Sequence, residues 1–230
     1  SSPFKTHGGT DVPHVKSTAQ IQSAKLPPPE QVVLPMQQHV GAPCTALVKI
    51  GDTVLVGQKI ADSSDFISAP IHASISGKVS AIKKVMLPGG QYTDAVVIDS
   101  DGEMKVSPDV KPPVIKTLDD FIKAVRESGL VGLGGAGFPT HVKLTVPKDK
   151  HIDTLIVNVA ECEPYITADN REAIENTEAV ISGITAIRNF LKIDRALIAV
   201  EDNKPDVIEA FKKFADDRVC VLTLPSRYPQ

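Results

Sequence analysis

The sequence predicts an α/β protein with an additional all-β domain ahead of the α/β part. Between about Gln31 and Met104, short apolar runs recur and turn residues separate them, the rhythm of a compact β-sandwich or barrel. From about residue 150 onward, apolar strands and helical stretches alternate in the order β-α-β-α-β, which calls for a parallel sheet. A glycine-rich stretch lies between the two parts.

Taken in order, the first 30 residues are polar and end in Lys25-Leu26-Pro27-Pro28-Pro29, which predicts an extended arm with a stiff polyproline stretch. His7 and His14 lie in this arm at no helical ligand spacing and read as solvated side chains. The all-β domain (31–105) is built on Val32-Val33-Leu34, Ala46-Leu47-Val48, Val54-Leu55-Val56, Val79-Ser80-Ala81-Ile82 and Ala95-Val96-Val97-Ile98. Gly51-Asp52, Ser76-Gly77, Pro88-Gly89-Gly90 and Asp101-Gly102 supply the turns. His39 and His72 have no carboxylate or cysteine at ligand spacing and read as structural. Residues 106–116 form a linker, broken by Pro108, Pro112 and Pro113.

A helix follows. Thr117 is its N-cap, Asp120 completes a capping box, and Leu118, Phe121, Ile122 and Val125 form one apolar stripe. Gly129 ends it. Thr154–Val159 reads as a buried strand, about Arg171 to Leu191 as one helix, and Arg195–Val200 as the next strand. Pro205 opens a helix to about Ala215, because the N–H that proline lacks would be unpaired there anyway. Val219–Leu224 is the third strand. The expected α/β domain is 117–230.

The net charge of −3 over 230 residues offers no basic surface for a phosphate backbone, so nucleic acid is not an expected partner. No apolar stretch approaches the roughly 18–20 residues of a membrane span. The N-terminus carries no signal-peptide pattern, so membrane association is expected only through a partner. Cys44, Cys162 and Cys220 are far apart and odd in number, which fits a reducing compartment and excludes a four-thiolate iron–sulfur cluster held by this chain alone.

The strongest chemical signal is Gly129-Leu130-Val131-Gly132-Leu133-Gly134-Gly135-Ala136-Gly137-Phe138-Pro139-Thr140. Gly132, Gly134 and Gly137 satisfy G-x-G-x-x-G, but the dinucleotide fingerprint needs a strand before it and a helix opening at it. Here a helix precedes and Pro139 follows. No Lys-Ser or Lys-Thr follows the last glycine, so it is not a Walker loop either. Such glycines still let the backbone approach a ligand and turn N–H groups toward it. Lys143 could meet a phosphate as a point charge. The bland alternative is a tight turn that only allows close packing.

A second signal, Asn158-Val159-Ala160-Glu161-Cys162-Glu163-Pro164-Tyr165, is placed at the carboxyl end of the first strand of the α/β part, the edge where open α/β sheets bind ligands. An asparagine and two carboxylates suit a flavin edge or a ribose hydroxyl; the alternative is a charged surface loop. Like charge on either side of Cys162 disfavours its thiolate, so a nucleophile is not expected.

Val48 to Ala61, with Ala69-Pro70 and Ser76-Gly77-Lys78-Val79, resembles the lipoyl and biotinyl carrier domains, a barrel-sandwich hybrid. The carriers' attachment tip would fall in Asp62–Ser68, which has no lysine, so no prosthetic arm is expected. The glycine loop, Lys143, Asn158 and Glu161-Cys162-Glu163-Pro164 together resemble the RnfC component of the Rnf ferredoxin:NAD⁺ oxidoreductase complexes and, more distantly, the flavin subunit of respiratory complex I. Phe4-Lys5-Thr6-His7-Gly8-Gly9, Pro13-His14-Val15-Lys16, Gly41-Ala42-Pro43 and Ser68-Ala69-Pro70-Ile71-His72 extend that resemblance over nearly the whole chain.

The resemblance implies a parallel-sheet, Rossmann-like flavin/NADH-binding domain, incomplete at its C-terminus. It implies FMN cradled by Gly132, Gly134, Gly135 and Gly137, with Lys143 at the phosphate. Asn158 and Glu161 would lie at the flavin, Glu163 near the nicotinamide of NAD(H), and Phe138 stacked on the nucleotide. No metal ligand is expected in this chain, and no catalytic residue is assigned. The family's [4Fe–4S] clusters would belong to a part beyond Gln230. The other Rnf subunits, NADH and the ferredoxin pathway are the implied partners, at the cytoplasmic side of the cell membrane. Ala160 and Leu133 differ from the complex I relative, which has Asp and Arg there. The alternatives are a cobalamin reductase-like flavoprotein, which shares the glycine loop and the Glu-Cys-Glu-Pro motif, and a non-catalytic docking module.

Overall fold

Alternating apolar residues and tight turns build the first compact unit, residues 26–146; the second comprises 147–230 and the N-terminal segment through Lys25. The computed structural model describes residues 8–147 and 149–230, so His7 and the Phe4–His7 part of the opening motif lie outside the described residues.

In the first unit, β1 (Gln31–Pro35), β7 (Tyr92–Ser100), β6 (Gly77–Met86) and β3 (Thr53–Val54) form an antiparallel sheet in that order. A second antiparallel sheet holds β2 (Thr45–Ala46), β4 (Lys59–Asp62) and β5 (Ile71–His72). Met36, Val54, Ile60, Ile75, Val79, Val96 and Ile98 form the core of this unit. The β6–β7 turn closes through Gly90 N–H to the Leu87 carbonyl (2.8 Å) and Leu87 N–H to that of Gln91 (2.7 Å). The expected linker begins while still paired, since Ser107 N–H donates to the Val56 carbonyl (2.9 Å).

Helix α1 (Leu118–Glu127) starts at the expected capping box: Asp120 N–H donates to Thr117 Oγ1 (3.1 Å) and Thr117 N–H to Asp120 Oδ2 (3.0 Å). Phe121 is buried, and Ile122 and Val125 are half-buried, but Leu118 is exposed, because a first-turn residue lies at the rim of the buried stripe. Gly129 follows with φ +74°; a Cβ there would come within 2.7 Å of the Pro70 carbonyl oxygen, so the chain turns off the helix against the barrel only with glycine. The short helix α2 (Thr140–Leu144) ends the unit.

The second unit is built on a three-stranded parallel sheet, order β10 (Val219–Leu224), β9 (Arg195–Glu201), β8 (Thr154–Val159). Helices α3 (Ala168–Glu175), α4 (Thr177–Leu191) and α5 (Pro205–Lys212) connect the strands. Val159, Ala173, Ile184, Ile198, Val200, Val207 and Phe211 form its core. The central strand β9 is buried over most of its length, whereas β8 is an edge strand with one face in the core. Ile156 is 67% exposed, which corrects the expectation of a buried strand: an edge strand covered on one face alternates in burial.

The single helix expected from Arg171 to Leu191 is two helices that part at Asn176. Thr177 Oγ1 donates back to the carbonyls of Ala173 (2.6 Å) and Ile174 (3.2 Å), and such back-bonding competes with the helical ladder. The N-terminal segment is docked on this unit. Thr10 pairs with Tyr228, Thr18 Oγ1 meets Thr167 Oγ1 at 2.6 Å, and the Ala19 carbonyl accepts from Asn170 (3.1 Å) and Arg171 (3.0 Å). No helix among the described residues is long and apolar enough to cross a membrane.

Candidate functional site

The glycine loop belongs to the barrel's compact unit. Its neck is pinched by backbone hydrogen bonds, Gly132 N–H to the Phe138 carbonyl (2.9 Å) and Thr140 N–H to that of Leu130 (3.1 Å). Gly137 adopts φ +66°, and a Cβ there would meet the Gln38 carbonyl oxygen at 3.0 Å, so the loop's return limb needs glycine to reach the barrel. Gly134 and Gly135 have no heavy atom within 4 Å of where a Cβ would stand, and Leu133 is 91% exposed. The tip therefore offers open backbone. The Lys143 ammonium lies 3.3 Å from the Cβ position of Gly132, which folds a cation against the loop. A cleft of about 470 Å³ runs between loop and barrel, lined by Gly132, Gly135, Gly137, Val131, Pro70 and His72 among others. Clefts of this size hold small molecules and cofactors. Phe138 is half-buried.

Beside the loop, α1 is clasped to the segment where the carrier domains place their lysine. Arg126 bonds Asp62 Oδ1 (2.8 Å) and the Ser63 carbonyl (2.6 Å), and Lys59 bridges Asp62 (2.9 Å) and Glu127 (2.5 Å). Burial alone would raise the Asp62 pKa, but the hydrogen bonds from Arg126 and Lys59 reverse this and hold it at about 2. Burial would lower Lys59, and its bonds to Glu127 and Asp62 raise it instead. His141, which sequence reasoning passed over, sits edge-on to Phe66 with ring centroids 5.7 Å apart and bonds the Phe66 carbonyl at 3.0 Å. Burial lowers its pKa. His39 proves to have a cysteine neighbour after all: its Nε2 is 3.9 Å from Cys44 Sγ and accepts the Ala69 N–H (3.1 Å). A five-residue offset across a bent segment matches no regular ligand spacing, which is why the sequence hid it.

The second motif lies in the other unit, where β8 ends. Asn158 is exposed, and its Oδ1 accepts the Ala160 N–H (3.0 Å). Glu161 is 5% exposed and turned inward. Its Oε1 accepts the N–H groups of Asp169 (2.6 Å) and Asn170 (3.4 Å) at the start of α3, where the helix dipole favours an anion. Its Oε2 is buried with no hydrogen-bond partner, 3.8 Å from the Lys16 ammonium. Burial raises the Glu161 pKa, opposed by the N–H of Asp169 and the charge of Lys16. Glu163 is exposed. The motif thus divides its two carboxylates, one inward and one outward.

Glu161 (φ +49°) and Tyr165 (φ +68°) occupy the left-handed region, which costs a non-glycine residue roughly 1–3 kcal/mol. Two lysines surround this backbone. Lys16 donates to the carbonyls of Glu161 (2.7 Å), Glu163 (2.8 Å) and Ile166 (2.7 Å). Lys204, 3% exposed, donates to the Ala160 carbonyl (2.5 Å), Asn203 Oδ1 (3.0 Å) and Glu201 Oε2 (3.3 Å). Burial lowers the Lys204 pKa. His14 is not solvated as expected: both ring nitrogens are buried without a hydrogen-bond partner, and Nδ1 is 4.0 Å from Glu201 Oε2. The docked N-terminal segment removes it from water.

Both halves of the chain match known protein families. Residues 4–103 match the RnfC barrel-sandwich hybrid domain, and residues 125–230 match the Nuo51 FMN-binding domain. The chain is 44% identical to the C subunit of the Na⁺-translocating ferredoxin:NAD⁺ oxidoreductase complex of Acetobacterium woodii, over 97% of this chain and 52% of that protein. It is 43% identical to the proton-translocating counterpart of Clostridium ljungdahlii, over 94% and 48%.

The chain belongs to the RnfC family.

A more distant member, the C subunit of the ion-translocating oxidoreductase complex of Rhodobacter capsulatus, is 36% identical over 94% of this chain and 43% of its own length. The chain spans about half the length of the relatives it matches first. The FMN-domain match begins inside α1, whereas compactness divides the chain after Val146. The glycine loop of the family's flavin domain is thus packed in this chain as part of the barrel's unit.

Proposed function

We propose that this chain is the FMN- and NAD(H)-binding part of a subunit that transfers electrons in an ion-translocating ferredoxin:NAD⁺ oxidoreductase. One observation carries the reading: an open glycine tip with the Lys143 ammonium folded against Gly132, beside a cleft of cofactor size. These residues fit FMN, whose dianionic phosphate needs backbone N–H groups and a cation in reach without obstructing side chains. Gly132, Gly134, Gly135 and Gly137 would hold the phosphate end with Lys143, and Phe138 would offer its ring to the nucleotide.

The outward Glu163 would meet the polar groups of NAD(H), and Asn158 keeps its implied role toward the flavin. Glu161, also implied to lie at the flavin, is instead buried on the N–H groups of Asp169 and Asn170 and shapes the backbone that carries Glu163. Bound FMN would supply hydride exchange with NAD(H) and one-electron exchange with iron–sulfur clusters held outside these residues. The second unit would be the Rossmann-like nucleotide domain of the subunit. Attachment to the membrane would come through the other subunits of the complex.

The test is ligand binding followed by quenching of flavin fluorescence. Lys143→Ala should weaken FMN about tenfold, the loss of one charge-assisted contact, and leave riboflavin unchanged, because only FMN carries the phosphate. Equal losses for both ligands would remove Lys143 from the phosphate, and no flavin binding by the unaltered chain would remove the reading.

A further inference from the structure

The loop Glu161–Ile166 cannot owe its shape to its own sequence. It holds two non-glycine residues, Glu161 and Tyr165, in left-handed backbone conformations. It carries carbonyls at Glu161, Glu163 and Ile166 that all converge on one side-chain cation. That cation is Lys16, at a sequence separation of 145 to 150 residues, and its three carbonyl bonds match the three donors of an ammonium group. The same N-terminal segment adds a fourth tie, the His14 carbonyl accepting the N–H of left-handed Tyr165 at 2.7 Å. The Lys16 side chain is 13% exposed, and the Glu161 carboxylate, 3.8 Å away, is 1% exposed. The ammonium thus does for this loop what a bound metal ion does for many anion-poor loops, gathering carbonyl oxygens around one positive charge.

We propose that Lys16 is a positioning residue for the nucleotide site: it holds Glu161–Ile166 in the one conformation that turns Glu161 inward and presents Glu163 outward. This rests on the proposed NAD(H) role of Glu163. Arginine cannot replace it, because a planar guanidinium directs its donors in a fixed fork and cannot converge on three carbonyls from one point.

The experiment compares the unaltered chain with Lys16→Met and Lys16→Arg by amide hydrogen exchange, and by NADH oxidation in the assembled complex. In Lys16→Met the amides of 161–163 and 165–167 should exchange at least about tenfold faster while those of β9 and β10 keep their protection, the sign of local rather than global opening. KM for NADH should rise about tenfold with kcat and FMN content nearly unchanged, the pattern of lost uniform binding. Lys16→Arg should restore neither.

Adding Tyr165→Gly to Lys16→Met should recover part of the loop's protection, since glycine takes φ near +68° without strain. Unchanged loop exchange in Lys16→Met would overturn the proposal. So would protection lost equally from β9 and β10, or full rescue by arginine. If the unaltered chain does not use NADH, the functional reading falls, and the exchange data still decide whether Lys16 holds the loop.

Discussion

Two clusters that each bring basic side chains to carboxylates in this molecule behave oppositely. At the α1 clasp, Arg126 and Lys59 meet the carboxylates of Asp62 and Glu127, and every charge has an opposite charge in contact. At the Glu161 loop, Lys16 and Lys204 bind mainly backbone carbonyls, and the inward carboxylate keeps an unbonded buried oxygen. The pKa values record the difference. In the clasp they move toward the charged forms, Asp62 down to about 2 and Lys59 up. In the loop they move toward the neutral forms, Glu161 up and Lys204 down, with burial as the leading cause. Paired charges strengthen a joint. Buried, partly matched charges cost stability and specify a shape, the condition common at functional sites.

That contrast is open to experiment. The largest effect should come from Lys204→Met, which strands the Ala160 carbonyl and leaves the fully buried Glu201 carboxylate with only the neutral donors of the Asn203 amide and the Arg227 N–H, and should cost about 3–5 kcal/mol of unfolding free energy in urea. A loss below about 1 kcal/mol would mean that water reaches the loop and that the contrast is false. Arg126→Met should cost less, about 1–2 kcal/mol, because the clasp is partly open to solvent. Thr117→Ala, which removes the α1 cap without touching either cluster, should cost about 1 kcal/mol and serves as the neutral reference.

The pH response gives the finest comparison. The folded pKa of Asp62, about 2, lies below its ordinary 3.8, so its contribution is complete above pH 3.8 and is lost as pH falls through about 2. The stability difference between the unaltered chain and Arg126→Met should therefore be flat above that range and shrink below it. Glu161 has the opposite sign. Its folded pKa is raised above the ordinary 4.5, so the folded state binds the extra proton and stability declines as pH rises from 4.5 toward the raised value. Glu161→Gln should remove that decline. A melting profile of Glu161→Gln parallel to that of the unaltered chain would show that Glu161 does not titrate as its burial requires.

The parts of the candidate site that could be read in advance are those whose chemistry is local. The open glycines at 134 and 135 announce themselves, since a backbone that must be bare is written directly as glycine. Glu161 and Glu163 were visible as a motif, but their division into inward and outward roles was not, because two residues of one irregular loop carry no periodicity that assigns a face. Lys204 gave no signal, and His14 and Lys16 stood out only as part of the Pro13–Lys16 motif, with no role attached: a basic residue in a polar segment reads the same whether it meets water or a distant carbonyl.

What the sequence alone determined here follows from short-range physics: alternation and turns for the barrel, the Thr117–Asp120 capping box for α1, Pro205 at the first position of α5, and the β-α-β order of a parallel sheet. Tertiary structure alone decided the one-sided burial of β8, the Arg126–Asp62 clasp and the three carbonyls on Lys16. The physical reason is range. A cap or turn is satisfied by atoms three or four residues away, whereas a buried ammonium is satisfied by whichever oxygens the folded chain brings to it, and for Lys16 these lie some 145 to 150 residues along the chain.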